Sequence, residues 1–318
     1  MAIQTSLGKA FEYACLQSLN NALNGTQQIV IEHNSALDVA REKYESATPD
    51  MQTKMDLGAD AATRVILRLE PQLTNPRNNI PLYLAIQEDV MGIAGDVRDV
   101  ICIRRQNEWE IGLSCKHNHS AVKHSRLSDN IDFGDSWFGI PCTQDYFSEI
   151  NQLFQELREM KENNLLWRDV ENKEQRFYIP LLQAFIRELQ RLDALHPGEI
   201  PNRLLHYLLG RNDFYKIITH DNRRVTQIQA FNIYNTLNRS SGNVRPLINI
   251  QQLTMPTRFF DISFKPHSGN TIIVTCDNGW TVSMRIHNAS SRVEPSLKFD
   301  VQLTGVPPTL HTHYEAWD

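Results

Sequence analysis

Two residues in the central part of the sequence have the types and spacing of a phosphodiester-cleaving site. Asp99 opens an apolar strand, a short polar link follows, and a second strand ends at Lys116. If the strands pair as a hairpin, both side chains converge at one end of the pair, and alternation places Ser114 on the face of Lys116. Phosphodiester hydrolysis needs a divalent ion and a cation that holds or activates the nucleophile. The alternative is that Asp99 is a turn residue that opens the strand and Lys116 is a solvated strand end. An aspartate and a lysine at this spacing occur by chance in many α/β proteins.

The segment that follows Lys116 is polar and basic. We predict a helix from there to about residue 128, and such a helix can lie along a DNA phosphate backbone. A solvated polar helix face explains the same composition. The candidate phosphate contacts are His117, His119, Lys123 and Arg126.

The remaining pattern predicts a mixed α and β protein. Apolar residues recur at helical spacing in some segments and alternate with polar residues in others. The predicted helices cover residues 6–23, 35–69 (a pair), 146–164, 178–195 and 201–209, and the predicted strands cover 28–32, 82–87, 99–105, 109–116, 271–287 (a hairpin) and 298–303. We expect a core at 1–145, a helical region at 146–250 and a β-rich region at 251–318.

Composition restricts the function classes only weakly. The formal net charge of −5 is unusual for a DNA-binding protein, but a nuclease can combine an acidic metal site with a local basic surface. The sequence has no signal-peptide pattern and no apolar run long enough for a membrane helix. Five scattered cysteines without a CxxC spacing fit reduced thiols. We therefore expect a cytoplasmic protein that does not associate with a membrane.

Other site chemistries receive less support. Cys115, His117, His119 and His124 are thiolate and imidazole groups that zinc accepts, but no second pair of standard spacing follows. The string at 117–119 spells an HNH motif only by coincidence, because the residues of that motif are spread along a ββα unit. The sequence contains no glycine-rich phosphate loop and no serine-hydrolase elbow.

Three segments, GDVRDVICI at 95–103, EIGLSCKHNHSAVKHSRLS at 110–128 and MRIHNASSRVEPSLKFDVQLTG at 284–305, resemble the HaeIII-type restriction endonucleases. The resemblance implies an α/β fold with a mixed sheet and a PD-(D/E)xK restriction-endonuclease-like core. It also implies Mg²⁺-dependent cleavage of double-stranded DNA at GGCC and a cognate DNA methyltransferase in the same restriction system. In the family motif, Asp99 takes the place of the first aspartate and Lys116 that of the lysine.

The chain departs from the general motif at Ser114, where an acidic residue is usual. Nucleases of this fold commonly supply a further acid from the first helix, and Glu12 lies on that helix away from its apolar face. Glu12 is therefore our first choice of second metal ligand beside Asp99, and Asp129 is the second. Asp96 and Glu110 are less suitable, and Glu110 is roughly 13 Å along the strand from Ser114.

A palindromic target is most simply bound by a two-fold symmetric protein, so a homodimer is expected. Alternation in the strand at 280–287 places Arg285 on its outer face, where an arginine could contact guanine. A solvated sheet face is the alternative. Two other functions stay open. One is a DNA-binding protein of this fold that does not cleave, which the serine in place of the usual acid at position 114 favours. The other is a repair or junction nuclease.

Overall fold

The computed structural model describes residues 3–75, 80–88, 95–118 and 121–318. Contacts between Cα atoms divide the chain into two compact units. Unit 1 comprises Met1–Ser120, Arg211–Leu253 and Pro308–Asp318, and unit 2 comprises Ala121–Gly210 and Thr254–Pro307. Of the helices in the described ranges, none is long and apolar enough to cross a membrane.

Unit 1 is built on a seven-stranded mixed sheet, as the predicted fold class requires. The strand order is β1-β2-β3-β4-β6-β7-β12; β1 with β2 and β4 with β6 are parallel, and the other pairs are antiparallel. The strands are β1 (Ile29–Ile31), β2 (Leu82–Ile86), β3 (Val100–Arg104), β4 (Trp109–His117), β6 (Phe214–His220), β7 (Val225–Phe231) and β12 (His311–Ala316).

Helices pack on one face of this sheet. They are α1 (Ile3–Leu23), α2 (Ser35–Glu45), α3 (Pro49–Leu69) and the short α4 (Pro71–Thr74). Thr48 caps α3 by accepting a hydrogen bond from the Met51 N–H, and proline follows at the first helical position, where its missing N–H has no cost. Phe11 and Cys15 of α1 pack in the same apolar core as Leu113 and Cys115 of β4. The odd-numbered residues of β4 thus face the helices.

Unit 2 contains a five-stranded antiparallel sheet of order β5-β11-β10-β9-β8 and four helices. The strands are β5 (Arg126–Leu127), β8 (Phe259–Phe264), β9 (Thr271–Cys276), β10 (Thr281–His287) and β11 (Leu297–Gly305). The helices are α5 (Phe133–Phe138), α6 (Gln144–Glu162), α7 (Ile179–Leu195) and α8 (Ile200–Leu209). The predicted alternation of β10 is confirmed, because Val282, Met284 and Ile286 are fully buried whereas Arg285 is exposed.

The structure differs from the sequence analysis in the segment after Lys116. The segment after Lys116, predicted to be helical, contains no helix in its described part: β4 continues to His117, Lys123 forms a bridge with Val301, and β5 pairs with β11. Pairing with β11 therefore places the side chains of this segment, and they do not line one face of a helix. The strands β6, β7 and β12, although they lie beyond residue 145, belong to the first sheet. The division into 1–145, 146–250 and 251–318 stays a prediction.

Candidate active site

The β3–β4 hairpin brings Asp99 and Lys116 together, as the sequence predicts. The Asp99 N–H donates to the Leu113 carbonyl at 2.7 Å, so the strand pairing extends one residue beyond β3. Asp99 Oδ2 accepts hydrogen bonds from the Cys115 N–H at 2.7 Å and from Lys116 Nζ at 3.1 Å. The aspartate is therefore fixed from two sides at the end of the sheet. The side chains of Asp99 and Lys116 are 20% and 25% exposed, which leaves both accessible to a ligand.

The electrostatics of Lys116 follow from this contact. Burial by itself lowers the pKa of the ammonium group, but the charge and the hydrogen bond of Asp99, together with the charge of Glu12, raise the pKa above its usual value. Lys116 is accordingly a protonated cation at neutral pH. In this state it can donate hydrogen bonds to a phosphate oxygen or a water molecule.

Glu12 of α1 joins the same group of charges. The residue is 6% exposed, and Lys9 Nζ lies 3.2 Å from its Oε2. Burial, followed by the negative charge of Asp99, raises the pKa of Glu12 to about 8, although Lys9 and Lys116 act in the opposite direction. Burial and the charge of Asp99 thus both favour the protonated form of Glu12.

This pair of carboxyl groups fits a divalent cation. Carboxylate oxygens are the ligands that Mg²⁺ prefers, and the ion commonly binds through one or two of them while keeping several waters. A cation between Glu12 and Asp99 would offset the repulsion that raises the pKa of Glu12. In the described ranges, no group of three or more His, Cys, Asp or Glu side chains is arranged as a metal site. Ser114 is buried and brings no carboxylate.

The other acidic candidates are engaged elsewhere. Arg98 binds Asp96 through two guanidinium nitrogens, with its Nη2 2.7 Å from Asp96 Oδ2, and its Nη1 lies 2.8 Å from Glu110 Oε1. Asp129 belongs to unit 2, where its carboxylate pairs with Arg158 at 2.7 Å. These contacts favour Glu12 as the second acid.

The predicted DNA contacts lie in different surroundings. His117 is buried: its Nδ1 lies 3.1 Å from Thr219 Oγ1 and its Nε2 3.4 Å from Asp221. Burial lowers the pKa of this histidine, and Lys54 adds to the effect, while Asp221 opposes it. A neutral, enclosed imidazole is a poor phosphate ligand in this conformation. His119 lies outside the described residues.

The three cations Lys123, Arg126 and Arg285 are all in unit 2. Lys123 Nζ donates to the Tyr207 carbonyl at 2.9 Å and lies 3.6 Å from the centroid of the Tyr207 ring. Arg126 binds Glu294 at 2.7 Å, and Arg285 lies 3.4 Å from Asp300. Arg126 and Arg285 are exposed and Lys123 is partly exposed, so all three remain candidates for DNA contacts.

Sequence reasoning missed one charged residue of this region. Lys216 lies in β6 at the register position of Ser114 and is 3% exposed. Burial, and then the charge of Lys116, lowers its pKa to about 7. The signal was a lysine inside the otherwise apolar run FYKII at 214–218, which is an unusual place for a side chain that is rarely fully buried.

Two comparisons with known proteins identify relatives. The model of the HaeIII restriction endonuclease family matches residues 8–307. The type II restriction enzyme HaeIII of Haemophilus aegyptius is 42% identical over 311 residues, which cover 98% of this chain and 97% of that enzyme. No solved structure matches the chain. Because both matches extend over nearly the whole chain, the protein belongs to the HaeIII restriction endonuclease family and is a type II site-specific deoxyribonuclease.

Proposed function

We propose that this chain hydrolyses phosphodiester bonds of double-stranded DNA at the palindrome GGCC in a Mg²⁺-dependent reaction. The observation that carries the proposal is the Asp99–Lys116 pair with the buried Glu12 beside it. GGCC is the target that the family resemblance implies.

In this proposal Asp99 and Glu12 are the residues that hold Mg²⁺. When bound, the ion polarises the phosphate and lowers the pKa of the attacking water. The Cys115 N–H and Lys116 fix Asp99 Oδ2, so the Asp99 carboxylate presents its other oxygen in a defined direction. Ser114 contributes a hydroxyl group beside the site but no charge.

Lys116 supplies the positive charge on the phosphate side of the site. Its ammonium group, held by Asp99 at 3.1 Å, can orient the water and stabilise the extra negative charge that develops on the phosphate oxygens. The water oxygen bonds to phosphorus and releases a proton to the solvent, one ester P–O bond breaks, and the departing oxygen takes up a proton from the solvent. The lysine remains protonated because its pKa is raised.

The test is digestion of a plasmid of known sequence, with and without EDTA, followed by mapping of the fragment ends. Mg²⁺-dependent ends at GGCC would support the proposal. Discrete ends at another sequence would retain the nuclease and discard the target. Binding without cutting would favour a non-cleaving DNA-binding protein, and cutting only at junctions or lesions would favour a repair nuclease.

The proposal includes a homodimer, because a palindrome presents two identical half-sites. It also includes a cytoplasmic setting and a cognate methyltransferase that protects the same sequence. Arg126 and Lys123 are proposed to contact phosphates, and Arg285 is proposed to contact a base. Sedimentation with and without a GGCC duplex tests the dimer, and a one-to-one complex of monomer and duplex would contradict it.

A further inference from the structure

The turn between β6 and β7, Asp221–Arg224, lies at the end of the first sheet that carries Asp99 and Lys116. β4 and β6 run in parallel, and Lys116 pairs with Ile218 in register. The turn therefore begins three residues further along the chain than the partner of Lys116, roughly 10 Å at the usual rise of a strand. It belongs to unit 1, the unit that holds the candidate active site.

The β6–β7 turn is fixed to the end of β4. The Asp221 N–H donates to Asn118 Oδ1 at 3.0 Å, and Oδ2 of Asp221 lies 3.4 Å from Nε2 of the buried His117. On the other side of the turn, the Trp317 N–H donates to the Arg224 carbonyl at 3.0 Å. These contacts give the turn a defined position relative to the strand end that carries the candidate active site.

The β6–β7 turn presents two positive charges to the solvent. Arg223 and Arg224 are exposed, whereas the side chain of Asp221, the one acidic residue of the turn, is 14% exposed and faces His117. Two acidic side chains in the surroundings are paired with other cations, Asp50 with Lys54 and Asp318 with Arg64. The turn therefore offers a local positive surface in a chain whose formal net charge is −5.

The backbone of the β6–β7 turn does not require arginine. The β3–β4 turn at the opposite end of the sheet has the same form, a 3₁₀ turn at Arg105–Asn107 followed by Glu108 in the left-handed region at φ 49°, the value that Arg224 also has. This region favours glycine and asparagine, so the conformation selects neither the glutamate nor the arginine. In the β3–β4 turn, moreover, Arg105 is paired with Glu32. Two exposed arginines thus distinguish the turn at the active-site end.

We propose that the β6–β7 turn is a phosphate-binding element of the DNA interface, in which Arg223 and Arg224 contact the backbone close to the cleaved bond. The inference rests on the proposed DNA cleavage and adds phosphate contacts within the unit that holds Asp99 and Lys116. Arginine suits this role, because its guanidinium group binds phosphate oxygens in a bidentate manner. The separation of roughly 10 Å from Lys116 corresponds to about three base-pair steps of about 3.4 Å, so the bound phosphates lie within a few nucleotides of the cut.

The test measures binding of the double variant Arg223→Gln, Arg224→Gln to a GGCC duplex in EDTA, by fluorescence anisotropy at several salt concentrations. Each lost phosphate contact reduces the slope of log affinity against log salt by about 0.9, which is a loss on the order of 10-fold per arginine at about 0.1 M salt. The loss should be equal for a duplex without GGCC, because phosphates carry no sequence information, and the melting temperature should not change. Arg105→Gln, which removes an exposed arginine from the β3–β4 turn, is the matched control and should retain the affinity and the slope of the parent.

A second measurement locates the contact. Neutral methylphosphonates, placed one at a time within about four nucleotides of the cut, should weaken binding by the parent at one or two positions and have no effect there on the double variant. Lysine at both positions keeps the charge and should retain the slope. An unchanged slope in the glutamine variant, or an equal loss in Arg105→Gln, would overturn the inference and leave the proposed function intact. A parent that binds the duplex but does not cut it would refute the proposed cleavage, and the salt slopes would still decide the role of the β6–β7 turn.

Discussion

Replacement of Glu12 by glutamine removes a buried carboxyl group whose ionisation the fold disfavours. Glutamine keeps the size and a hydrogen-bond acceptor for Lys9, so the packing of α1 is retained. The pKa of Glu12 is raised from an ordinary value of 4.5 to about 8, chiefly by burial and next by Asp99. In the metal-free protein at pH 7 the group is therefore mostly protonated, whereas in the unfolded chain it is ionised.

This difference has a free-energy consequence. Between pH 4.5 and 7 the native state binds a proton that the unfolded state has released, so stability falls as the pH rises. Over about 2.5 pH units at about 1.36 kcal/mol each, the cost at pH 7 is roughly 3 kcal/mol. Glu12→Gln should therefore stabilise the metal-free protein by an amount of that order. The gain should vanish near pH 4, grow through pH 5–8 and level off above pH 8.

The assay is urea unfolding in EDTA at several pH values, repeated with Mg²⁺. Mg²⁺ should stabilise the parent, because a ligand that binds only the native state raises its unfolding free energy, and should stabilise Glu12→Gln much less. Cleavage by the variant should fall at least 100-fold. An equal Mg²⁺ stabilisation of parent and variant, with equal cleavage rates, would refute the assignment of Glu12 as a metal ligand. If the difference in unfolding free energy between Glu12→Gln and the parent in EDTA stayed constant from pH 4 to 8, the electrostatic reasoning would be refuted.

Four further outcomes are expected. Lys116→Ala should abolish plasmid cleavage while retaining most of the affinity for duplex DNA in a gel-shift assay, since one cation among several contacts is dispensable for binding. Full cleavage by this variant would remove Lys116 from the mechanism. Arg126→Gln should weaken binding to all duplexes alike and reduce the slope of log affinity against log salt by about one, measured by fluorescence anisotropy; a changed sequence preference would contradict a phosphate contact. Arg285→Ala should relax the choice of site in a mapped digest, and a clean digest at unchanged sites would show that Arg285 does not read the sequence. Arg98→Met leaves the buried Asp96 carboxylate without its guanidinium partner, so urea unfolding should show a loss on the order of 3 kcal/mol, and a loss below about 1 kcal/mol would contradict this account.

The features that the sequence predicted correctly depend on local pattern. The hairpin of β3 and β4 follows from two alternating runs joined by a short polar link, and it carries Asp99 and Lys116 to the same place. The helix α1 follows from its apolar stripe. Its register over the sheet, which decides that Glu12 reaches the site, does not follow from that stripe.

The features that the sequence did not predict depend on distant pairing. β6 joins β4 in parallel after a separation of about one hundred residues, and no local signal specifies that neighbour. β12 was missed because its outer residues Thr312 and Tyr314 are exposed and its run is polar. The absence of a helix after Lys116 has the same origin, since β5 is defined by its pairing with β11. The position of Lys216 opposite Ser114 follows only from this pairing.

The topology favours Glu12 as the substitute for the missing acid at position 114. Glu12 belongs to α1, whose residues Phe11 and Cys15 share an apolar core with Leu113 and Cys115 of β4. The negative charge of Asp99 contributes to the raised pKa of Glu12, and a cation bound by both carboxylates would offset that effect. The Glu12 variant should therefore lose the response to Mg²⁺.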